Sequence, residues 1–408
     1  MAAESAGTGR GDRPPDQTAP GAPVLDIDAI LADPGIRIVV CCGSGGVGKT
    51  TTAAALGLRA AEVHGRRTVV LTIDPARRLA QSLGLTELDN TPRQVKGVSA
   101  ASGGELHAMM LDMKRTFDEV VLTHTDAARA EEIFANPFYQ AMSSTFSGTQ
   151  EYMAMEKLGQ LRARDEWDMI VVDTPPSRSA LDFLDAPQRL SRFLDGRMLR
   201  LLLAPARAGG RSMFSLVTAS LGVFSKAVQK ILGGQLLADL SGFVSALDST
   251  FGGFRDRAER TYQILQAPET AFLVLAAPEP DAVREASYFA GRLARDRMPL
   301  QGLILNRTHQ VSATDLSADD ALTAAAALDE QGEHPAAADA LRIHAALCHQ
   351  VAREVAVATR FSAAHPRVPT IAVAAQPVDV HDVDGLREIG IALAGQDGPR
   401  DARPANGD

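Results

Sequence analysis

Gly43-Ser44-Gly45-Gly46-Val47-Gly48-Lys49-Thr50-Thr51 is the stretch that decides the fold of this chain. From Gly43 to Thr50 it meets the phosphate-binding pattern G-x-x-x-x-G-K-[ST] in full. Its flanks have the character the pattern needs. An apolar, β-branched run, Ile36-Arg37-Ile38-Val39-Val40, precedes it, and an Ala/Leu-rich helical run from Thr52 to Val63 follows. Strand, glycine loop and helix in that order aim several backbone N–H groups at one anion. Glycine lets the backbone wrap a phosphate without Cβ clashes. Residues Gly43 to Thr51 are therefore expected to cradle a nucleotide. Lys49 would neutralise β- and γ-phosphate charge, and the Thr50 hydroxyl would ligate Mg2+.

Working outward, the next continuous apolar run is Thr68-Val69-Val70-Leu71-Thr72-Ile73, which ends in Asp74-Pro75. Leu106–Leu111, Met169–Val172, Ala271–Ala276, Leu300–Leu305 and Val368–Val373 read the same way. Such runs suit strands buried on both faces of a parallel sheet. Helical patterns lie between most of them, and this alternation predicts a doubly wound, mainly parallel α/β sheet, the P-loop NTPase class, with helical insertions. Ligands then sit at the carboxyl ends of the strands. One such domain is expected over 36–394, with insertions at about 187–262 and 309–365. Residues 1–24, rich in Gly, Pro and Ala, and 395–408 read as disordered tails.

Three strand ends carry chemistry. Asp168-Met169-Ile170-Val171-Val172-Asp173-Thr174-Pro175-Pro176 places Asp173 where a carboxylate can reach the metal through a water. Asp74 ends a strand beside the loop and can accept a hydrogen bond from the water that attacks the γ-phosphate. It can equally cap a helix starting at Pro75, and the two roles are compatible. Asn306, in Leu303-Ile304-Leu305-Asn306-Arg307, can pair with a purine edge or simply close a turn. The following residues, Arg307-Thr308-His309, are not the Lys-x-Asp that guanine reading wants, so adenine, hence ATP, is favoured.

Composition excludes several classes. The formal net charge of −9 disfavours nucleic acid as the main partner. Aromatics are only 5% of the chain, so the core must be built of Ala, Val and Leu. Cys41 and Cys42 are adjacent on the strand entering the loop, and Cys348 is far away, so core thiols are expected rather than a metal clip or disulfide framework. This suits a reducing cytoplasm. No run reaches the ~20 apolar residues of a membrane span. The histidines show no ligand spacing; His344 and His349, for instance, are five apart.

Together GSGGVGKTT, TIDPARRLAQSLG, VVDTPPSRSALDFL and LILNRT resemble the deviant-Walker ATPases, in their arsenite-pump and tail-anchored-protein-targeting branch. The resemblance implies a dimer that closes on ATP and opens on hydrolysis, with client-binding helices that follow that motion. It implies that Asp74 orients the attacking water and that Thr174 to Ser179 relay the γ-phosphate state. Two departures stand out. The family's signature lysine, which reaches across the dimer to the partner's phosphates, is here Ser44. The metalloid-binding cysteines of one branch and the zinc-binding Cys-x-x-Cys of the other are absent. The partner is then itself or, favoured, a lysine-bearing paralogue.

Residues 214–231 carry Phe214, Val217, Leu221, Phe224, Val228 and Ile231 at helical steps, and Leu237 to Phe251 continue the stripe. Arg189, Arg192, Arg197, Arg200, Arg207 and Arg211 lie upstream. The stretch reads as a groove for an apolar helix, a surface for a membrane-associated protein or an anionic membrane, or a small helical subdomain packed on itself. The leading expectation is an ATPase driving capture and release of such a client. A non-catalytic ATP-binding regulatory subunit and the energising subunit of an anion pump are the alternatives.

Overall fold

The computed structural model describes residues 22–74, 78–85, 87–136, 139–140, 149–175, 256–257, 259–332 and 334–395. Among these residues eight strands form one sheet: β1 (Ile38–Gly43), β2 (Arg67–Thr72), β3 (Arg93–Gln94), β4 (Glu105–Met110), β5 (Met169–Asp173), β6 (Thr270–Ala276), β7 (Leu300–Thr308) and β8 (Thr370–Ala374). Their spatial order is β3-β4-β2-β5-β1-β6-β7-β8. All neighbours run parallel except β3, a two-residue edge strand antiparallel to β4. The expected doubly wound, mainly parallel sheet is therefore present. Each of the seven apolar runs lies on a strand, and only the short polar edge strand β3 has no apolar run to announce it.

The central strands are buried on both faces, which is why their sequences do not alternate in polarity. Ile38, Val40 and Cys42 of β1 face one core, and Val39 and Cys41 face the other. The first core is roofed by α4 (Met113–His124), α6 (Thr149–Arg164), α7 (Pro280–Arg295) and α9 (Pro335–Ala364). The second is roofed by α1 (Ile27–Ala32), α2 (Lys49–Glu62) and α10 (Val383–Leu393). Three more helices are α3 (Arg78–Ser82), α5 (Ala127–Ala135) and α8 (Ala318–Gln331). The core is mostly Ala, Val, Leu and Ile, with Phe272, Phe289 and Phe361 as bulky exceptions.

Helix α2 lies deepest. Ala53, Ala54, Ala55, Ala60 and Ala61 are each fully buried. Small side chains let the helix sit close to the sheet: a Cβ added at Gly57 would come within 2.6 Å of Val70 Cγ2. The helix begins at Lys49, three residues earlier than the apolar run alone indicates, because the glycine loop feeds straight into it. Other helix starts follow capping chemistry. Asp112 Oδ1 accepts from the Arg115 N–H, Asp382 Oδ1 from the Gly385 N–H and Ser317 Oγ from the Asp320 N–H.

The edge of the sheet away from the loop is tied by Arg66, only 7% exposed. Its guanidinium donates to the carbonyls of Leu31, Asp33, Ile36 and Asp168. One planar fork thus satisfies four carbonyls, at the end of α1 and just before β1 and β5. Asp28 clamps α1 to α2 through two 2.7 Å bonds from Arg59. That guanidinium, helped by His64, holds the Asp28 carboxyl below its ordinary range.

Between β7 and β8 the chain forms the antiparallel pair α8 and α9. Residues 22–24 lie along β8, where Thr370 N donates to Pro23 O. The apolar stripe from Phe214 to Phe251 and the arginines from Arg189 to Arg211 lie outside the described residues. Among the described residues no helix is long and apolar enough to cross a membrane.

Candidate nucleotide site

The topology puts the glycine loop between the two strands it needs. β1 runs into the loop, β5 flanks it on one side and β6 on the other. At Gly43 the Leu275 carbonyl of β6 lies 2.1 Å from where a Cβ would stand, so no side chain fits. Gly46 and Gly48 have φ values of +77° and +90°, in the left-handed region. A Cβ at Gly46 would meet no atom of the described residues within 4 Å, which leaves an open concave backbone of the kind that receives an anion. A Cβ at Gly48 would meet Asn306 Nδ2 at 2.3 Å.

Two threonine hydroxyls converge on the Asp173 carboxylate at the end of β5. Thr50 Oγ1 and Thr72 Oγ1 each donate to Oδ2 at 2.8 Å. Asp173 is 1% exposed, yet its Oδ1 has no partner among the described residues. Burial pushes its carboxyl up to about 6, against the two hydroxyl bonds and the nearby Lys49 ammonium. A buried carboxylate oxygen left without a donor, beside a threonine hydroxyl, suits a hydrated divalent cation. The residues present therefore fit Mg2+, held by Thr50 and, through water, by Asp173.

Lys49 is nearly buried, and its Nζ donates to Ser44 O at 2.8 Å, so the ammonium is folded over the loop. Burial lowers its pKa, and Asp173 followed by Cys42 and Asp74 opposes that shift. Ser44 Oγ is buried without a partner among the described residues. Asp74 stands half-buried just beyond β2. Its backbone N–H donates to Thr72 Oγ1 at 3.2 Å, and the preceding Ile73 N–H donates to Asp173 O. Thr72 therefore joins the two carboxylate-bearing strand ends through one hydroxyl. Thr174 Oγ1 donates to Cys41 O, and the residues from Pro176 to Ser179 lie outside the described set.

Asn306, from β7, lies against the same loop: Nδ2 donates to Val47 O at 2.8 Å. The structure so gathers Gly43 to Thr51, Asp74, Asp173 and Asn306 at one edge of the sheet. Thr72 and Gln150 join them, and neither stands out in the sequence. Thr72 is legible in principle, as a hydroxyl two residues before Asp74 on the same strand. Gln150 comes from another helix, and no local signal marks it.

Cys41 and Cys42 are free and fully buried, and burial raises the Cys42 thiol to about 12, so both are core thiols. His344 Nε2 lies 2.8 Å from Leu316 O and 3.3 Å from Cys348 Sγ. Among the described residues no group of three or more His, Cys, Asp and Glu is placed to hold a metal.

A glycine loop opening α2, a strand-end carboxylate gripping the loop threonine and a parallel sheet with β1 at its centre define a P-loop nucleotide-binding protein. Residues 36–322 match the family described as anion-transporting ATPase, and the chain belongs to that family. It is similar to "ATPase GET3" of Malassezia globosa, 26% identical over 239 residues that make up 57% of this chain and 64% of the relative. It is 29% identical to a "Putative arsenical pump-driving ATPase" of Prosthecochloris vibrioformis over 38% of this chain and 37% of that one. "ATPase GET3B" of Arabidopsis thaliana is 24% identical over 73% of this chain and 70% of its own length. The matched stretch thus spans less than two thirds of the first two relatives.

Proposed function

We propose that this chain is a Mg2+-dependent ATPase that works as a dimer, and that nucleotide-driven opening and closing controls an apolar or membrane-associated client in the cytoplasm. The observation that carries the reading is the Thr50–Asp173–Thr72 cluster beneath a complete glycine loop. Mg2+, which Thr50 and, through water, Asp173 would hold, would supply charge neutralisation at the phosphates. The chain's own residues do the rest. Backbone amides of Gly45 to Gly48 hold the phosphates, Lys49 leaves Ser44 O to meet them, and Thr50 and Asp173 orient the metal's shell. Asp74 accepts a hydrogen bond from the attacking water, and Asn306 closes the base side of the loop.

The pH behaviour of the metal site follows from Asp173. Its carboxyl is raised to about 6 in the folded protein from an ordinary 3.8, so burial disfavours the charged form. In the sign of linkage, the folded state holds this proton more tightly than the unfolded chain, so the group weakens folding as pH rises through that window. Metal and proton compete for the same carboxylate. Protonation of Asp173 is expected to weaken apparent Mg2+ affinity as pH falls through about 6, beyond the loss that protonation of ATP itself causes. Titration of Mg2+ at pH 5, 6 and 7.5 in the wild type and in Asp173→Asn checks this; the same pH dependence in both would remove Asp173 from the metal's surroundings.

The dimer reading is electrostatic. Two triphosphates facing each other across an interface concentrate negative charge. The family answers with one lysine per subunit at the position of Ser44, and charge-stabilising groups supplied in trans are worth roughly 10³–10⁵ in rate. Serine is uncharged and too short to reach across. Pairing with a lysine-bearing paralogue supplies this chain's site with the missing charge. Ser44 also favours a second reading, an ATP-binding regulatory subunit without turnover, although keeping both Asp74 and Asp173 speaks for activity. The relatives named for arsenical pumps suggest an energising role for an anion pump, and the absence of further cysteines argues against a thiophilic anion.

Ser44→Lys should raise the ATPase rate of the isolated chain at least tenfold if it self-associates. The measurement is turnover together with mass by light scattering, alone and with the candidate paralogue. A fast homodimer indifferent to Ser44→Lys would show that another residue does the neutralising.

A further inference from the structure

The geometry points to Gln150 as a positioning residue for the Asp74 turn. It sits in the first turn of α6, and its Nε2 donates to Ile73 O at 2.7 Å. That carbonyl belongs to the peptide joining Ile73 to Asp74, so the bond fixes the plane from which the Asp74 side chain departs. The same turn is held on its other side by Thr72 Oγ1 and by Asp173 O. Among the described residues, Gln150 brings this turn a contact from outside the strands.

What makes it an anchor is the rigidity of α6. Tyr152, Met153, Met155 and Leu158 of this helix are each 2% exposed or less. Buried charges lock it further. Lys157, 4% exposed, meets Glu119 of α4 at 3.0 Å. Glu156, 6% exposed, accepts from Arg257 Nε at 3.1 Å on both oxygens. At Gly159 a Cβ would come within 2.6 Å of Thr261 Oγ1, so the helix and the segment around Thr261 are in close contact. At its far end Arg162 reaches Glu269, just before β6, at 2.9 Å. Breaking any buried charged pair is costly, so α6 moves only with the body of the domain. The helix then leads into β5, which ends in Asp173. One α–β unit therefore carries both the carboxylate that grips Thr50 and the amide that grips the peptide before Asp74. The two acidic groups of the site are held at a set separation by a single rigid element.

The inference rests on the reading of Asp74 as the carboxylate that orients the attacking water, and the test separates the two. Gln150→Met keeps the length and removes the donor. Gln150→Glu keeps the shape and replaces the donor by an acceptor, which guards against a packing defect in the first. Loss of one hydrogen bond in the active geometry should slow single-turnover ATP hydrolysis roughly tenfold, with ATP affinity within about twofold of wild type. In an Asp74→Asn background the same substitution should change the rate by less than about twofold, because the two act as a unit. Hydrogen exchange gives a readout independent of turnover: the amides of Ile73 and Asp74 should exchange at least several-fold faster in both Gln150 variants, with those of α2 unchanged. Unchanged exchange at the turn overturns the inference, as does a rate loss that persists in full in the Asp74→Asn background. Wild-type turnover by Asp74→Asn alone overturns the reading of Asp74 instead, and the exchange result still decides whether Gln150 holds the turn.

Discussion

Lys49→Ala should lower the affinity for ATP by about 2–5 kcal/mol, roughly 30- to 5,000-fold. The side chain is 7% exposed and carries its ammonium over the loop that receives the phosphates. A charge held in so dry a place interacts far more strongly with a phosphate than a surface lysine does. Truncation has a second consequence, because Ser44 O loses its donor. Lys49→Met, which keeps the aliphatic volume, separates the two effects: it should lose ATP while melting near the wild-type temperature. Isothermal calorimetry with ATP and Mg2+ is the measurement. Unchanged affinity in both variants would mean that the loop amides alone hold the triphosphate.

Asp74→Asn should leave ATP affinity within about threefold of wild type and slow hydrolysis by roughly 10²–10⁴, the usual worth of a positioned proton acceptor. The amide has the shape of the carboxylate but is a poor acceptor for the water's proton. The fold predicts little loss of stability, since the backbone of the turn is held by Thr72, Asp173 and Gln150 rather than by the Asp74 side chain alone. Single-turnover kinetics separates binding from chemistry. Hydrolysis at the wild-type rate would leave Asp74 only as a residue of the turn that follows β2.

Much of this was legible in the sequence, for identifiable reasons. Val39, Val171 and Leu273 lie on strands buried on both faces, so their runs are apolar without alternation and announce a parallel sheet. Gly43, Gly46 and Gly48 each stand where a side chain would clash or the backbone is left-handed, so the loop is written in glycine and read directly. Asp173 and Asp74 were visible because each closes an apolar run. Thr72 and Gln150 were not. A threonine in a strand is ordinary, and the contact of Gln150 with Ile73 spans 77 positions. Nothing local encodes a contact of that kind; it exists because α6 packs beside β2. Strand β3 was missed for a related reason: Arg93 and Gln94 are polar and exposed, and the strand is only two residues long. The same limit applies to Asn306. Its place at a strand end was legible, but its bond to Val47 O ties it to the phosphate loop, a role its sequence context does not announce.

The surroundings of Asp173 differ from those of an ordinary core residue. A fully buried carboxylate with one oxygen unpaired among the described residues is an expensive arrangement, and folding alone gives no reason to keep it. A cation and its water shell give such a reason. Departures of this kind from a well-satisfied core concentrate at functional sites.

Phosphate release from ATP in a single turnover is the most direct test of this mechanism, measured for this chain with and without Mg2+, alone and mixed with a candidate lysine-bearing paralogue. Mg2+-dependent release is expected in the mixture. It should be lost with Lys49→Ala and with Asp74→Asn of this chain, while ATP stays bound in the latter. Release that is independent of Mg2+, or that survives both substitutions, would contradict a Mg2+-ATPase built on Lys49 and Asp74.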